Sequence, residues 1–352
     1  MASEDIEEGV LEDLSGSPAP SLYSFNPSVD ERHMLRELYG RVVNSYNDTY
    51  LLPADDDEHR RLDLQHRIYT IMLGALYPAV PLVRWALRPR RGTTPAILDV
   101  GTGSGSWAID MAREFPHCEV VGIDLVPPRI LGDVPANCRF EIDDANLGFP
   151  HYRGRFDVIQ ARAVDVGIRD FPGLLNELAQ SLRPSGVLLL GDGEMQLYDE
   201  QKRPISFSEP NPSWTHRIFF AAYNAMKNRG GSPDAPSMSP TWLRAIDSLT
   251  DVGWHKVFVP IGPWIYGERS YTDRARPHGS NREAANEREK ILADMLRTNC
   301  LAFISGMGPL LMSEGYLPES VEKMQHEAGM ELQELRVRLY SRWSFAWAVK
   351  KP

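Results

Sequence analysis

The stretch 96–107, AILDVGTGSGSW, limits what this chain can fold into more than any other. Ala96, Ile97, Leu98 and Val100 carry one acid, Asp99, and run straight into Gly101, Gly103 and Gly105. A short apolar run ending in glycines reads as a buried strand entering a tight loop. Beyond the loop, Trp107, Ala108, Met111, Ala112 and Phe115 recur at helical steps along one face. Glycines let the backbone approach a ligand closely, and a helix start aims its free N–H groups and positive dipole end at it. The unit therefore predicts a site for a polar or anionic ligand.

Further strand-like runs follow, each ending in polar residues. Residues 119–123 stop at Asp124, 139–142 stop at Asp143 and Asp144, 156–161 precede a helix over 170–182, and 187–191 stop at Asp192. Alternating strands and helices predict a mostly parallel, doubly wound α/β sheet, whose ligands bind beyond the carboxyl ends of the strands. Asp99, Asp124, Asp143, Asp144, Gln160 and Asp192 are accordingly expected along one rim.

Around this core, three regions are expected. Residues 1–28 mix acids with Ser, Pro and Gly and read as a disordered tail. Residues 29–92 read as an N-terminal helical cap. One helical segment over 30–50 bears Tyr39, Tyr46 and Tyr50, PADDDEH is a polar turn, and a second helix starts near Arg60. Its stripe of Leu64, Ile68, Ile71 and Ala75 leaves His66 bordering the buried side. Residues 93–352 read as the main domain, with helical insertions at about 200–250 and 281–338. Pro240 opens a helix there, 254–260 is a strand, and Val321 to Leu339 form an amphipathic helix before a closing strand over 339–350.

A formal charge of −10 argues against a broad nucleic-acid surface, and the cluster Arg84, Arg88, Arg90 and Arg91 reads as a solvated helix end. Three scattered cysteines make neither a disulfide framework nor a zinc site, so a reducing compartment, cytoplasmic or nuclear, is expected. No metal site is expected: ADDDEH lacks the glycine and terminal glutamate of a calcium loop. Acids stand where a secretory signal would be basic, and no apolar run reaches membrane-spanning length.

Two cofactors fit the glycine loop. Gly103, Gly105 and Ala108 satisfy G-x-G-x-x-A, and Asp124 stands at the distance a dinucleotide ribose requires. That fingerprint has no use for Asp99 or Asp144. S-adenosyl-L-methionine uses both: its ammonium wants a carboxylate, its ribose hydroxyls suit Asp124 with Leu125 beside it, and its adenine amine can donate to Asp144. Asp143 rivals Asp144, because a shift of one residue reverses which side chain faces the pocket.

ILDVGTGSG, VVGIDL, FEIDDA, FDVIQAR and LRPSGVLLL together resemble the successive motifs of class I S-adenosylmethionine-dependent methyltransferases. More narrowly, RLDLQH, GTGSGSWAIDMA, VPANCRFEIDDA and PIGPW resemble the fungal LaeA-like methyltransferases, a group of proposed regulators of secondary metabolism and natural-product enzymes. The resemblance covers residues 30–352. It implies a Rossmann-like seven-stranded sheet with helices on both faces and an antiparallel last strand, and a cofactor site at Asp99, Gly101, Gly103, Gly105, Asp124 and Asp144. Ser185 stands where the family usually has a second glycine.

Transfer of a sulfonium methyl is an in-line displacement, so positioning and desolvation carry much of the work. A hydroxyl acceptor would gain from a general base. His66 is the first candidate for that role, Glu194 the second and His216 the third. Tyr46, Trp214, Trp242 and Trp264 are candidates for the wall of an acceptor pocket. Arg162 either faces the cleft or bridges to a rim acid. The expected function is O- or N-methylation of a small molecule of fungal secondary metabolism; the alternative is a regulatory subunit acting through protein partners.

Overall fold

The computed structural model describes residues 34–130, 132–206, 208, 210–266 and 280–352. The tail expected over 1–28 lies outside them. Seven strands build the central sheet: β3 (Ala96–Val100), β4 (Glu119–Asp124), β5 (Cys138–Ile142), β6 (Phe156–Arg162), β7 (Leu182–Tyr198), β8 (Leu249–Pro260) and β9 (Tyr340–Lys350). Their order is β5-β4-β3-β6-β7-β9-β8. The first five are parallel, and β9 runs antiparallel to both β7 and β8. This is the expected doubly wound sheet. Parallel register sets Asp99 level with Gly122 and Gln160, so the acids closing β3 and β4 share one edge of the sheet.

Every residue of β3 is buried, because helices cover both faces. Alternation divides its side chains. Leu98 and Val100 join Ile159 and Leu188 under α4 (Phe171–Ser181) and α6 (Ala235–Arg244), whereas Ile97 joins Val158 and Leu189 under α2 (Val80–Ala86) and α3 (Ser106–Glu114). Leu98→Ala would cost about 2–5 kcal/mol, as large-to-small core changes do. A third apolar cluster joins the sheet's β9 end to α1 (Asp56–Leu73), α5 (Trp214–Asn228), α7 (Ser280–Gly306), α8 (Gly308–Ser313) and α9 (Pro318–Gln333) through Ile68, Ile218, Leu296, Leu311, Val321 and Trp343. No described helix is long and apolar enough to cross a membrane.

Local structure departs from the sequence expectations at several places. Instead of a helix, residues 34–44 form a hairpin of β1 (Leu35–Leu38) and β2 (Arg41–Asn44). Tyr39 and Gly40 take φ of 48° and 74° there, the paired left-handed turn that closes a two-residue hairpin loop. Asn44 Oδ1 then accepts from the N–H groups of Tyr46 and Asn47, turning the chain where tyrosine spacing had pointed to helix. The acidic PADDDEH is no turn either. Asp55 caps α1 by accepting from the Glu58 N–H, and Asp56, Asp57 and Glu58 fill the first helical turn, where the dipole favours acids.

Downstream, Pro240 lies inside α6, which starts at Ala235 with Pro236 in its first turn. Strand β8 begins at Leu249 rather than at 254. Helix α9 ends at Gln333, since Leu335 takes a left-handed φ of 53°, and Leu339 belongs to the approach to β9. Arg90 leaves the solvated basic cluster to pair with buried Asp157, which also holds Arg183 and the Ala96 N–H. Ser185 adopts φ 64°, keeping the glycine conformation without the glycine.

Candidate functional site

At the carboxyl edge of β3, β4 and β6 lies a cleft with about 940 Å³ of empty space, its open mouth included. Its floor is the glycine loop. Gly101 has φ 68°, and a Cβ there would come 2.3 Å from Val164 Cγ1; one at Gly105, which opens α3 with φ 79°, would come 2.9 Å from Phe140. The loop thus keeps its glycines for conformation and for space. Its second residue locks it, as the Thr102 N–H donates to the Ile123 carbonyl and Thr102 Oγ1 to Asp99 Oδ2 at 2.7 Å.

Four acids line the cleft. Buried Asp99 accepts from Thr102 and, at 3.5 Å, from Gln160 Nε2, so Gln160 supports the cleft from behind. Burial pushes its carboxyl up to about 6, although Arg162, Thr102 and Gln160 pull the other way. Asp124 accepts the Gly103 N–H on Oδ2 at 2.8 Å and the Val126 N–H on Oδ1 at 3.4 Å. Each oxygen keeps a lone pair, which suits a vicinal hydroxyl pair. Burial raises this carboxyl too, against the backbone N–H groups of Gly103, Val126 and Leu125. Asp144 caps a single 3-10 turn, accepting from the backbone and side chain of Asn146 at 2.9 Å each. Its rival Asp143 also lines the cleft but pairs with His151 Nε2 at 3.2 Å.

Helix α1 roofs the cleft. Leu62, Gln65 and His66 face into it, and Leu62 rests over Gly103. Three polar clasps hold the roof to the core: Arg129 to Asp56 at 2.6 Å, Ser106 Oγ to Asp63 at 2.6 Å, and His66 Nε2 to Asp110 at 3.0 Å. On its other side His66 Nδ1 meets Arg162 Nη2 at 3.2 Å. A guanidinium only donates, so Nδ1 accepts and the imidazole proton sits on Nε2, given to Asp110. Burial keeps His66 below its usual pKa, and Arg162 adds to this while Asp110 opposes it. A neutral imidazole whose lone pair is already engaged is poorly placed as a free base, which changes the expected role of His66.

Other expected site residues stand elsewhere. Glu194 lies outside the cleft lining and accepts from Arg342 at 2.8 and 2.6 Å, Tyr198 at 2.8 Å and Ser344 at 2.9 Å. A carboxylate so fully engaged serves as a structural tie, not as a base. Trp214 lies between Arg217 and Lys323, with its backbone N–H donating to Glu331. Trp264 donates to the Leu339 carbonyl and packs edge-on against Tyr340, and Trp242 packs on Phe171. Tyr46 is half exposed, and His216 is buried in α5. None of these five lines the cleft. Leu125 and Arg162 do, together with Tyr50, Thr102, Asn146 and Val164, which sequence reasoning missed. Leu62 stands three residues before Gln65 and four before His66, on one helix face, a signal that was present in RLDLQH.

A family model described as a methyltransferase domain matches residues 78–223. Over 310 residues the chain is 31% identical to the secondary metabolism regulator laeA of Coprinopsis cinerea, covering 87% of this chain and 72% of that protein. The chain belongs to the LaeA-like class I methyltransferases. Another relative of this LaeA-like chain is the methyltransferase pytC of Aspergillus terreus, 32% identical over 64% of this chain and 65% of that protein. A third is the protein-methionine methyltransferase laeA of Emericella nidulans, 28% identical over 49% of this chain and 46% of that protein. The methyl donor of a LaeA-like methyltransferase is S-adenosylmethionine. The donor set of the cleft fits that molecule in kind: a carboxylate at Asp99 for a cation, free lone pairs at Asp124 for hydroxyls, and acids at Asp143 and Asp144 for an amine.

Proposed function

We propose that this chain methylates oxygen or nitrogen on a small molecule of fungal secondary metabolism, using the cleft beneath α1 as its donor site. In this reading Asp99 takes the donor's ammonium, Asp124 its ribose hydroxyls, Asp144 its adenine amine, and the backbone at Gly101 and Gly103 borders it, while Gly105 lies outside the cleft lining and starts α3. The bound donor supplies an activated methyl group on sulfonium. The chain's own residues exclude water, fix orientation and leave the acceptor a narrow approach.

The roof is the observation that supports a small acceptor. With α1 clasped to the core through Asp56, Asp63 and His66, an acceptor has to enter a covered space beside Arg162 rather than lie across an open surface. Incubating the purified chain with methyl-labelled donor and a cell extract lacking the gene product tests it. Label should appear in the small-molecule fraction; label confined to protein would refute the reading.

A second reading rests on the 87% of the chain aligned with a relative named as a regulator. There the same cleft serves a subunit acting through protein partners on secondary metabolism. Deleting the gene would separate the two, since an enzyme leaves one unmethylated intermediate and a regulator silences several pathways. Both readings keep the chain in a reducing cytoplasm or nucleus, in keeping with three buried free cysteines, Cys118, Cys138 and Cys300.

A further inference from the structure

Arg162 closes β6 and borders the cleft. Its guanidinium lies 4.5 Å from the centre of the Tyr69 ring and donates to His66 Nδ1. Among the described residues, no carboxylate forms an ion pair with it within 4 Å. Asp99 and Asp192 are the acids whose fields reach it. Asp192 is a poor counter-ion, because burial and the neighbouring Asp165 hold its carboxyl well above the usual range. A cation withdrawn from water without a partner is costly, and a guanidinium carries five N–H donors of which His66 takes one.

Asp99 poses the complementary problem. It is a buried acid with Thr102 and Gln160 as partners and no cation in hydrogen-bonding reach. The two side chains border the same cleft and remain apart. A ligand that answers both carries an anion and a cation, as an α-amino acid does. Simple anions or simple cations would satisfy only one side.

We propose that Arg162 receives the methionyl carboxylate of the donor while Asp99 receives its ammonium, and that His66 and Asp110 are positioning residues for the guanidinium. The inference rests on the cleft being the donor site. The His66 tautomer is set by the pair: Nδ1 accepts from Arg162, and Nε2–H is given to Asp110. This fixes the rotation of the guanidinium, and Tyr69 supports its face. Holding both ends of the amino acid would settle where the sulfur lies, so selection for an intact amino-acid end and aim of the methyl group come from one pair of side chains.

Calorimetry of the full chain with S-adenosylmethionine and with its decarboxylated analogue tests this by binding alone. The wild type should prefer the intact donor by about 10- to 100-fold, the range for hydrogen bonds to charged groups. Arg162→Met should remove most of that preference by weakening the intact donor, with the analogue unchanged within about twofold. Arg162→Lys should keep part of it, since a point charge lacks the planar fork. His66→Leu should narrow the preference and His66→Gln, which can both accept and donate, should restore it. The inference is overturned if the wild type binds both ligands equally, if Arg162→Met retains the preference, or if both Arg162 variants lose the two ligands in parallel. A wild-type chain that bound neither ligand would instead refute the donor-site reading beneath it.

Discussion

Asp99 on β3 and Glu194 on β7 are both buried acids of one sheet, with β6 between their strands, and they have opposite fates. Glu194 is met by Arg342 through two nitrogens, by Tyr198 and by Ser344, with Lys256 at 3.6 Å. Burial alone would raise its carboxyl, yet these partners hold it below the usual value. Asp99 has one short hydrogen bond and one long one, and burial wins, leaving it at about 6. Burial therefore says little about function. What distinguishes the cleft is bonding capacity that the fold itself leaves unfilled, a property Asp124 shares.

The largest expected effect falls on the satisfied acid. Glu194→Ala would strand the Arg342 guanidinium and should lower the unfolding free energy by about 3 kcal/mol, the lower end for broken buried pairs because Arg342 and Lys256 keep some solvent. Affinity of the folded protein for S-adenosylhomocysteine should stay the same. Denaturant melts and calorimetry on the same sample would measure both, and a tenfold loss of affinity would break the contrast.

Asp124→Ala should behave in the reverse sense. Removing its bonds to a bound ribose should cost about 1.5–3 kcal/mol of S-adenosylhomocysteine affinity. Its own stability should hold or rise, since burial already disfavours the ionised carboxylate. A midpoint in denaturant that fell while affinity stayed level would place Asp124 with Glu194.

A smaller effect is expected from pH. The folded chain keeps its proton on Asp99 up to about 6, whereas an unfolded aspartate loses it near 4. Between those values the native state binds more protons than the unfolded state, so stability of the ligand-free protein should fall as pH rises through that window. Affinity for the ammonium-bearing ligand should rise over pH 5 to 7, by about tenfold, as Asp99 ionises. Asp99→Asn should flatten the affinity curve and remove only its own share of the stability slope, because buried Asp165 and Asp192 also hold raised carboxyls, and a wild-type affinity curve already flat would show that Asp99 is as satisfied as Glu194. The smallest change sits outside both regions. Ser185→Gly should add about 1 kcal/mol by relieving a left-handed serine, without altering ligand binding, as thermal melts with and without ligand would check.

Much of the cleft was legible because parallel strands place their ends by rule. Asp99, Asp124, Asp144 and the three glycines are adjacent to strands whose apolar runs are unmistakable, and register does the rest. The acceptor side was not legible in the same way. Trp214, Trp264 and Tyr46 have the composition of pocket walls, yet their positions depend on how α5, α9 and the β9 edge pack, and helical spacing cannot choose between packing partners. Glu194 misled for a related reason: its partners Arg342 and Ser344 lie far along the chain on β9, which only the sheet order brings alongside. The hairpin at 35–44 was missed because Tyr39 takes a conformation usually left to glycine or asparagine. Asp110, which fixes His66, sits on the exposed side of its helix in sequence and becomes informative only once α1 lies over it.

The placing of β9 also has a consequence for the order of events during synthesis. Among the described strands β8 pairs only with β9, and β9 also completes β7. Strand β8 is made before α7, α8 and α9, and leaves the ribosome well ahead of the neighbour that lets it join the sheet. The five parallel strands, whose carboxyl edge holds the cleft, can assemble early, while β8 waits with an unpaired edge. A nascent chain of this kind passes through a stage in which its ligand floor is complete and its far edge is still open to the wrong partner, so the seam at β9 is where a translating cell would most need to shield it.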